Sequence, residues 1–133
     1  MQDFRKLAVW QKAHALSVRI HRLTLAIPRS GYADLISQMR RAAESIAANI
    51  AEGAGRGTDA DFARFIQMAI GSNSELESHL QFAFDIGMIP AALFEARLAE
   101  VVEVKKMLIG LRKKLLPIPP PPTPLEPRAK ATS

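Results

Sequence analysis

The sequence predicts an all-α protein: an antiparallel up-down-up-down four-helix bundle that assembles as a homo-oligomer. Apolar residues recur at three- and four-residue steps through most of the chain, which is the period of a helix with one buried face. Clusters of glycine and proline occur at residues 28–31, 53–57 and 87–90 and divide the chain into four segments. No alternating strand pattern competes with this division.

Each segment has its own start or stop signal. The first helix is expected to begin after Asp3, an N-cap residue type, and the second to end at Gly53 in the left-handed conformation. Thr58 opens a weak capping box before the third helix, which continues to Gly87. The fourth helix follows Pro90. Four helices of about 20 to 28 residues with short connections predict a bundle.

The chain length of 133 residues predicts one domain, with a bundle over residues 1–116 and a tail over 117–133. Seven of the nine prolines lie between Pro117 and Pro127, so neither a helix nor a central strand can continue there, and the tail is predicted to be disordered. The chain has no cysteine, which excludes disulfides and thiolate chemistry. It also has no apolar segment long enough to span a membrane, and we expect a cytoplasmic protein.

Charge is distributed unevenly along the chain. The formal net charge of +5 is made of +5 in residues 1–57, −6 in residues 58–104 and +6 in residues 105–133. Such a polarised surface can meet its own copy, and the remaining positive charge favours an anionic partner.

Six basic residues are candidate nucleic-acid contacts. Heptad spacing places Arg5, Lys12 and Arg19 on one face of the first helix, and Arg22 follows three residues later. A solvated basic face with no ligand explains the same pattern. Two further candidates are Arg40 on the second helix and Arg56 in the glycine-rich turn.

A polar line borders the apolar stripe of the second helix. It consists of Arg41, Ser45, Asn49 and Glu52, and it is expected to form a structural hydrogen-bond network or a subunit contact. A hydrolase that uses Glu52, Asn49 and His79 is the enzymatic alternative, which lacks a recognisable nucleophile and base. No cofactor and no metal site is predicted, because the histidines lack ligand spacing.

Glycine in the middle of the third helix calls for a local explanation. Gly71 costs about 1 kcal/mol relative to alanine, so a close approach of another helix, within the bundle or between subunits, is expected beside Gly71 and Ser72.

Three motifs resemble a known family. They are FRKLAVWQKAHAL at the start, SQMRRAAESIAANIAEGAGR over residues 37–56, and AIGSNSELESHL over residues 69–80. Together they resemble the four-helix-bundle proteins encoded in intervening sequences of bacterial large-subunit ribosomal RNA genes. The matched positions that we assign to structure or interface are Trp10, Arg41, Ser45, Asn49, Glu52, Gly53, Gly71, Ser72 and Glu75.

The resemblance implies a ring-like homopentamer with no established enzymatic activity. The family is also similar in architecture to the accessory variability proteins of diversity-generating retroelements, which bind nucleic acid and a reverse transcriptase. The expected function is therefore a non-enzymatic scaffold that binds RNA, DNA or a nucleic-acid-processing protein. The alternative is a purely structural bundle that binds only proteins.

Overall fold

The computed structural model describes residues 3–117, which form a one-turn 3₁₀ helix at Phe4–Lys6 followed by four α-helices. The α-helices are α1 (Ala8–Leu25), α2 (Ala33–Ala54), α3 (Asp59–Asp85) and α4 (Ala91–Leu115). The described residues contain no strand, so the predicted all-α class and the four helices are confirmed. Residues 118–133, most of the predicted tail, lie outside the described residues.

Two of the predicted start signals cap helices as expected. The Asp3 carboxylate accepts a hydrogen bond from the Arg5 backbone N–H at 3.1 Å, but the helix that it caps is the short 3₁₀ turn. Leu7 then adopts an extended conformation, so α1 begins at Ala8 and has only 18 residues. Thr58 caps α3 by accepting a hydrogen bond from the Asp61 N–H at 3.1 Å.

The helix ends correct one prediction about glycine. Gly87, after α3, has a φ of +83°, and the Met88 N–H donates to the Ala83 carbonyl at 2.9 Å, as in a Schellman motif. Gly53, in contrast, is helical and lies inside α2, so its predicted left-handed conformation is wrong. A Cβ on Gly53 would lie 2.8 Å from Phe62 Cδ1, so this glycine allows close packing of α2 against α3.

Contacts between consecutive helices have the order expected of antiparallel neighbours. Phe84 and Phe94 stack at 4.4 Å on either side of the α3–α4 turn, while the Asn73 amide reaches the Val101 carbonyl farther from that turn. Helix α1 also packs against α4, and this contact closes the bundle. An even number of antiparallel helices places the start of α1 and the end of α4 at one end of the bundle.

The core runs along all four helices. Burial of each large apolar side chain contributes about 1.5–3 kcal/mol relative to exposure, so the apolar stripes hold the bundle together. None of the helices within residues 3–117 is long and apolar enough to cross a membrane. The largest fully buried side chains are Leu16, Ile20, Ile36, Met39, Ile46, Ile50, Ile66, Leu76, Leu80, Val101, Val104 and Leu108.

Candidate binding surfaces

The basic row of α1 lies along the boundary with α4 and is partly neutralised there. Lys12 Nζ lies 3.1 Å from Glu103 Oε1, and Arg19 forms an ion pair with Glu100. Glu100 also pairs with Arg97, so one carboxylate serves two guanidinium groups. The row is therefore a seam between two helices of one subunit rather than an open basic face.

The two ends of the basic row differ from its centre. The Arg5 guanidinium lies 3.5 Å from the Asp3 carboxylate and 4.8 Å from the centre of the Phe4 ring. Arg22 is exposed and forms no ion pair with any residue between 3 and 117. Arg5 lies in the 3₁₀ helix and not on α1, so its predicted place on the first helix is wrong. Of the three predicted contacts that α1 does carry, Arg22 is the one whose charge is left to solvent within residues 3–117.

Arg40 connects α2 to α1. Its Nε donates to Thr24 Oγ1 at 2.8 Å, and that hydroxyl donates to the His21 carbonyl at 2.7 Å. Thr24 is 1% exposed, so the arginine satisfies a hydroxyl that is almost completely buried. The geometry gives Arg40 a role in joining helices.

Arg56 is held at the α2–α3 turn by charge and by an aromatic ring. Its guanidinium lies 3.4 Å from Glu52 and 3.9 Å from Asp61, and its Cζ is 4.7 Å from the centre of the Phe65 ring. Arg64 lies 4.6 Å from the same ring and also pairs with Asp61. Cation–π contacts and ion pairs orient Arg56 within the turn, and they occupy Glu52 as well.

The polar line of α2 is divided in the structure. Ser45 Oγ and Ser72 Oγ are 2.8 Å apart, and the Asn49 amide donates to the Ser45 carbonyl and hydroxyl at 2.8 and 3.0 Å. This network joins α2 to α3 and contains two of the four residues of the predicted line, Ser45 and Asn49. Arg41 is exposed and lies outside the network.

The residues of the hydrolase alternative do not come together. Ser45 faces Ser72, so Asn49 and Glu52 lie toward the α2–α3 turn, whereas His79 lies two turns of α3 in the opposite direction. His79 Nε2 is 3.7 Å from the Glu75 carboxylate. Residues 3–117 also contain no cluster of three side chains suited to bind a metal ion.

A continuous groove separates the outer surfaces of α2 and α3. One part has a volume of about 580 Å³ and the next about 500 Å³, and both parts are lined by Gln38. The lining is mixed in character. The first part is lined by Gln38, Arg41, Ala42, Glu44, Ser45, Ala48 and Glu75, and the second by Gly31, Tyr32, Asp34, Leu35, Gln38, His79, Phe82 and Ile86.

Gly71 lies beside this groove, and the position of its missing side chain is open space within the subunit. No atom of another helix lies within 4 Å of the position that a Cβ would occupy, so of the two predicted places for a close approach, within the bundle or between subunits, the one within the bundle is not found at Gly71 itself. The neighbouring Ser72 is the residue that contacts α2. The helical rotation of 100° per residue turns Ser72 inward and leaves Gly71 facing outward.

Trp10 packs at the start of α1. Its ring stacks on His14 at 4.7 Å and meets Phe4 edge-on at 5.0 Å, and the side chain is half-buried against the core. This aromatic group is therefore used within the bundle, consistent with the structural assignment of Trp10.

Most positive charge in the described part of the chain has no acidic partner. Nine of the 16 lysines and arginines between residues 3 and 117 form no ion pair there, whereas seven do. Three of these nine are singled out from the sequence: Arg22 and Arg40 as nucleic-acid contacts, and Arg41 as a structural or interface residue. The others are Lys6, Arg29, Lys106, Arg112, Lys113 and Lys114.

These observations define a small four-helix protein with an internally paired α1–α4 seam, an open α2–α3 groove and a surplus of surface cations. The chain belongs to the 23S rRNA-intervening sequence protein family, whose model matches residues 5–110. The predicted family resemblance is thus confirmed.

A solved structure with the same fold is similar over most of the chain. It is the crystal structure of a protein of unknown function from the S23 ribosomal protein family of Bacteroides thetaiotaomicron. The two proteins are 25% identical, with a TM-score of 0.73 over 79% of this chain and 95% of the other. No curated protein matches the chain.

Proposed function

We propose that this protein is a non-enzymatic, homo-oligomeric scaffold of the cytoplasm that binds nucleic acid through a basic surface. The observation that carries the proposal is the set of nine cations that remain without an acidic partner within the described part of the chain. Phosphate backbones are bound chiefly by such cations, and the binding is largely independent of sequence.

Self-association is supported by an exposed stripe on α3. Met68, Gly71, Glu75, Phe82 and Ile86 follow one another at helical spacing, and Met68 and Phe82 are 47% and 55% exposed. The stripe borders the α2–α3 groove, since Glu75, Phe82 and Ile86 line it, and the groove offers room for a side chain or helix of a second copy. A contact there would explain why Gly71 occupies the middle of α3.

Charge opposition between subunits contributes less to this association than the sequence suggested. Lys12 and Arg19 already pair with α4, and Lys105 Nζ lies 3.0 Å from Glu77 of α3. We therefore assign association mainly to the α3 stripe. The ring of five copies rests on the family resemblance, and five chains of +5 would carry a formal charge of +25.

Assembly is tested by light scattering coupled to size-exclusion chromatography. We expect five copies of the 14.6-kDa chain, about 73 kDa in total, and a shift to monomer in the double variant Met68→Glu, Phe82→Glu. Leu25→Glu is the matched control, because Leu25 is 68% exposed on α1, away from the groove. A monomeric wild-type protein would contradict the assembly proposal.

Nucleic-acid binding is tested by fluorescence anisotropy with labelled single-stranded RNA and duplex DNA. We expect binding at about 50 mM salt that weakens steeply as salt rises, because the release of counterions from the nucleic acid favours binding and this gain shrinks as the salt concentration increases. Absence of binding to both probes at that salt would eliminate the nucleic-acid function.

A protein partner is the second candidate function, and the exposed α3 stripe is the observation that favours it. A reverse transcriptase or another nucleic-acid-processing protein would then bind an apolar helix face instead of the cations. Pull-down of a protein that survives nuclease treatment and is lost in Met68→Glu supports this alternative. Loss of the same protein after nuclease treatment supports nucleic-acid bridging.

A further inference from the structure

We infer that the nucleic-acid contact is made at one end of the bundle, by Lys6 and the last helical turns of α4, and not by the basic row of α1. This inference rests on the proposed function and assigns its surface. The residues concerned, named here the basic end, are Lys6, Lys106, Arg112, Lys113 and Lys114.

The fold brings the members of the basic end together from opposite ends of the chain. Leu7, Leu111 and Lys114 line one cavity of about 350 Å³ between the start of α1 and the end of α4. Lys6 directly precedes Leu7 in the chain, so its backbone lies at the edge of this cavity. All five basic side chains belong to exposed residues.

Acidic groups near the basic end already have partners, with one exception. Asp3 pairs with Arg5, Glu103 with Lys12, and both Glu52 and Asp61 with Arg56. Asp59, at the start of α3, is the exception within the described residues. Residues 105–117 themselves contain five cations and no acid, and only Lys105 is paired.

The basic row of α1, unlike the basic end, has cations that are paired with carboxylates. Binding phosphates with Lys12 or Arg19 would first require the ion pairs with Glu103 and Glu100 to break. It would also bring the released carboxylates close to the phosphates. Repulsion by these carboxylates disfavours the row, whereas the basic end has no such cost.

The dimensions and chemistry of the basic end suit a polyphosphate backbone. Lys106 and Lys114 are eight residues apart on α4, which is about 12 Å along a helix. One nucleic-acid strand carries a phosphate about every 3.4 Å, so this length spans three to four phosphates. Residues 105–117 contain no aromatic side chain, so the contact is made to the backbone without base stacking.

The inference is tested with two triple variants that lose equal charge. The basic-end variant is Lys106→Gln, Arg112→Gln, Lys113→Gln, and the matched control is Lys12→Gln, Arg19→Gln, Arg22→Gln. Each is titrated by fluorescence anisotropy with a labelled 20-nucleotide poly(U) RNA and a 20-base-pair DNA duplex between about 50 and 300 mM salt.

We expect the basic-end variant to bind RNA at least about tenfold more weakly at 50 mM salt. Its slope of log affinity against log salt should fall by about 2, because each lost phosphate contact on a single strand contributes about 0.7. The control should change affinity less than about threefold, since its cations make no phosphate contact and act only through the general loss of charge, which salt screens. Comparison of the RNA and duplex titrations shows which source of phosphates is bound.

Other outcomes overturn the inference in distinguishable ways. Equal weakening in both variants would show that only net charge matters, and selective weakening of the control would move the contact to α1. Either result leaves the proposed function intact. If the wild-type protein binds neither probe, both this inference and the proposed nucleic-acid function are overturned. The same holds if it binds neither probe and instead sediments with anionic vesicles.

A measurement on wild-type protein does not depend on how the variants fold. Lysine acetylation followed by mass spectrometry should show RNA protecting Lys106, Lys113 and Lys114 but not Lys12. Circular dichroism checks the helix content of both variants. Protection of the three lysines in the RNA-free protein would show that another subunit covers the basic end, which would overturn the inference.

Discussion

At the scale of single residues, Gly53 determines how closely α2 and α3 approach. The absence of a side chain lets the Phe62 ring and the Phe65 Cβ pack against the α2 backbone, since an added Cβ would lie 2.8 and 2.9 Å from Phe62 Cδ1 and Phe65 Cβ. Both neighbours are largely buried, and the Phe65 contact is to the rigid start of its side chain, so the pair has little freedom to move.

Gly53→Ala is therefore expected to destabilise the protein by about 1–3 kcal/mol through overpacking. The control is Gly110→Ala, where a Cβ meets open space in α4 and the change should be neutral or stabilising by up to about 1 kcal/mol. Denaturant unfolding at one fixed protein concentration measures both free energies, because the proposed assembly would link stability to concentration. Equal effects at the two sites would contradict the packing role of Gly53.

Residue identity alone is ambiguous for such positions, which explains why the sequence predicts the wrong conformation for Gly53 and does not locate the contact at Gly71. A glycine near a helix end is typical both of a left-handed cap and of close packing, and Gly53 serves the second purpose. A glycine in mid-helix indicates a contact without locating it, and Gly71 has none within the subunit. Tertiary neighbours decide between these readings, and they are not visible in the spacing of residues along the chain.

At the scale of elements, local side-chain chemistry fixes where the helices begin and end. Thr58 accepts a hydrogen bond from the third residue after it, and Gly87 supplies a left-handed turn after α3. These signals involve residues that are close together in the chain, so the sequence alone indicates them. The short α1 is the exception, because nothing local to Asp3 indicates that the first turn is a separate 3₁₀ helix.

Thr58→Ala removes the hydroxyl that satisfies the Asp61 N–H and should lower the free energy of unfolding by about 1 kcal/mol. Thr58→Ser keeps the oxygen acceptor and should stay near wild-type stability. Thermal unfolding followed by circular dichroism distinguishes the two. A Thr58→Ser protein as unstable as Thr58→Ala would show that the threonine methyl group, rather than the cap, stabilises α3.

The sequence alone does not predict the ion pairs between helices. Lys12 and Arg19 are a heptad apart, and Glu100 and Glu103 lie three residues apart on α4, but pairing them requires the relative rotation of two helices. The acidic residues of α4 that form these pairs are visible in the sequence. Their pairing with Lys12 and Arg19 depends on how α4 packs beside α1.

At the scale of the whole molecule, the bundle is closed where α1 meets α4, and two kinds of interaction share that boundary. Apolar side chains such as Leu16 and Leu108 are completely buried, while Lys12 and Glu103 remain about half exposed. Exposed ion pairs contribute about 0–1 kcal/mol each and weaken in salt. Closure therefore depends on apolar burial.

Leu108→Ala is expected to cost about 2–5 kcal/mol, because it leaves a cavity in the core, whereas Lys12→Gln should cost about 1 kcal/mol or less. Unfolding in urea at low and high salt checks both values. The Leu108→Ala loss should not depend on salt. A loss for Lys12→Gln that equals the loss for Leu108→Ala would show that charge holds α1 to α4.

The even number of helices also determines where the molecule tolerates additions. The chain enters and leaves the bundle beside the basic end, so a domain fused directly before residue 3 or after residue 117 would be attached next to the proposed contact. The α1–α2 and α3–α4 turns lie at the other end, and the latter contains exposed Gly87. A label or domain inserted after Gly87 would lie at the end of the bundle opposite the basic end and would leave the basic surface open.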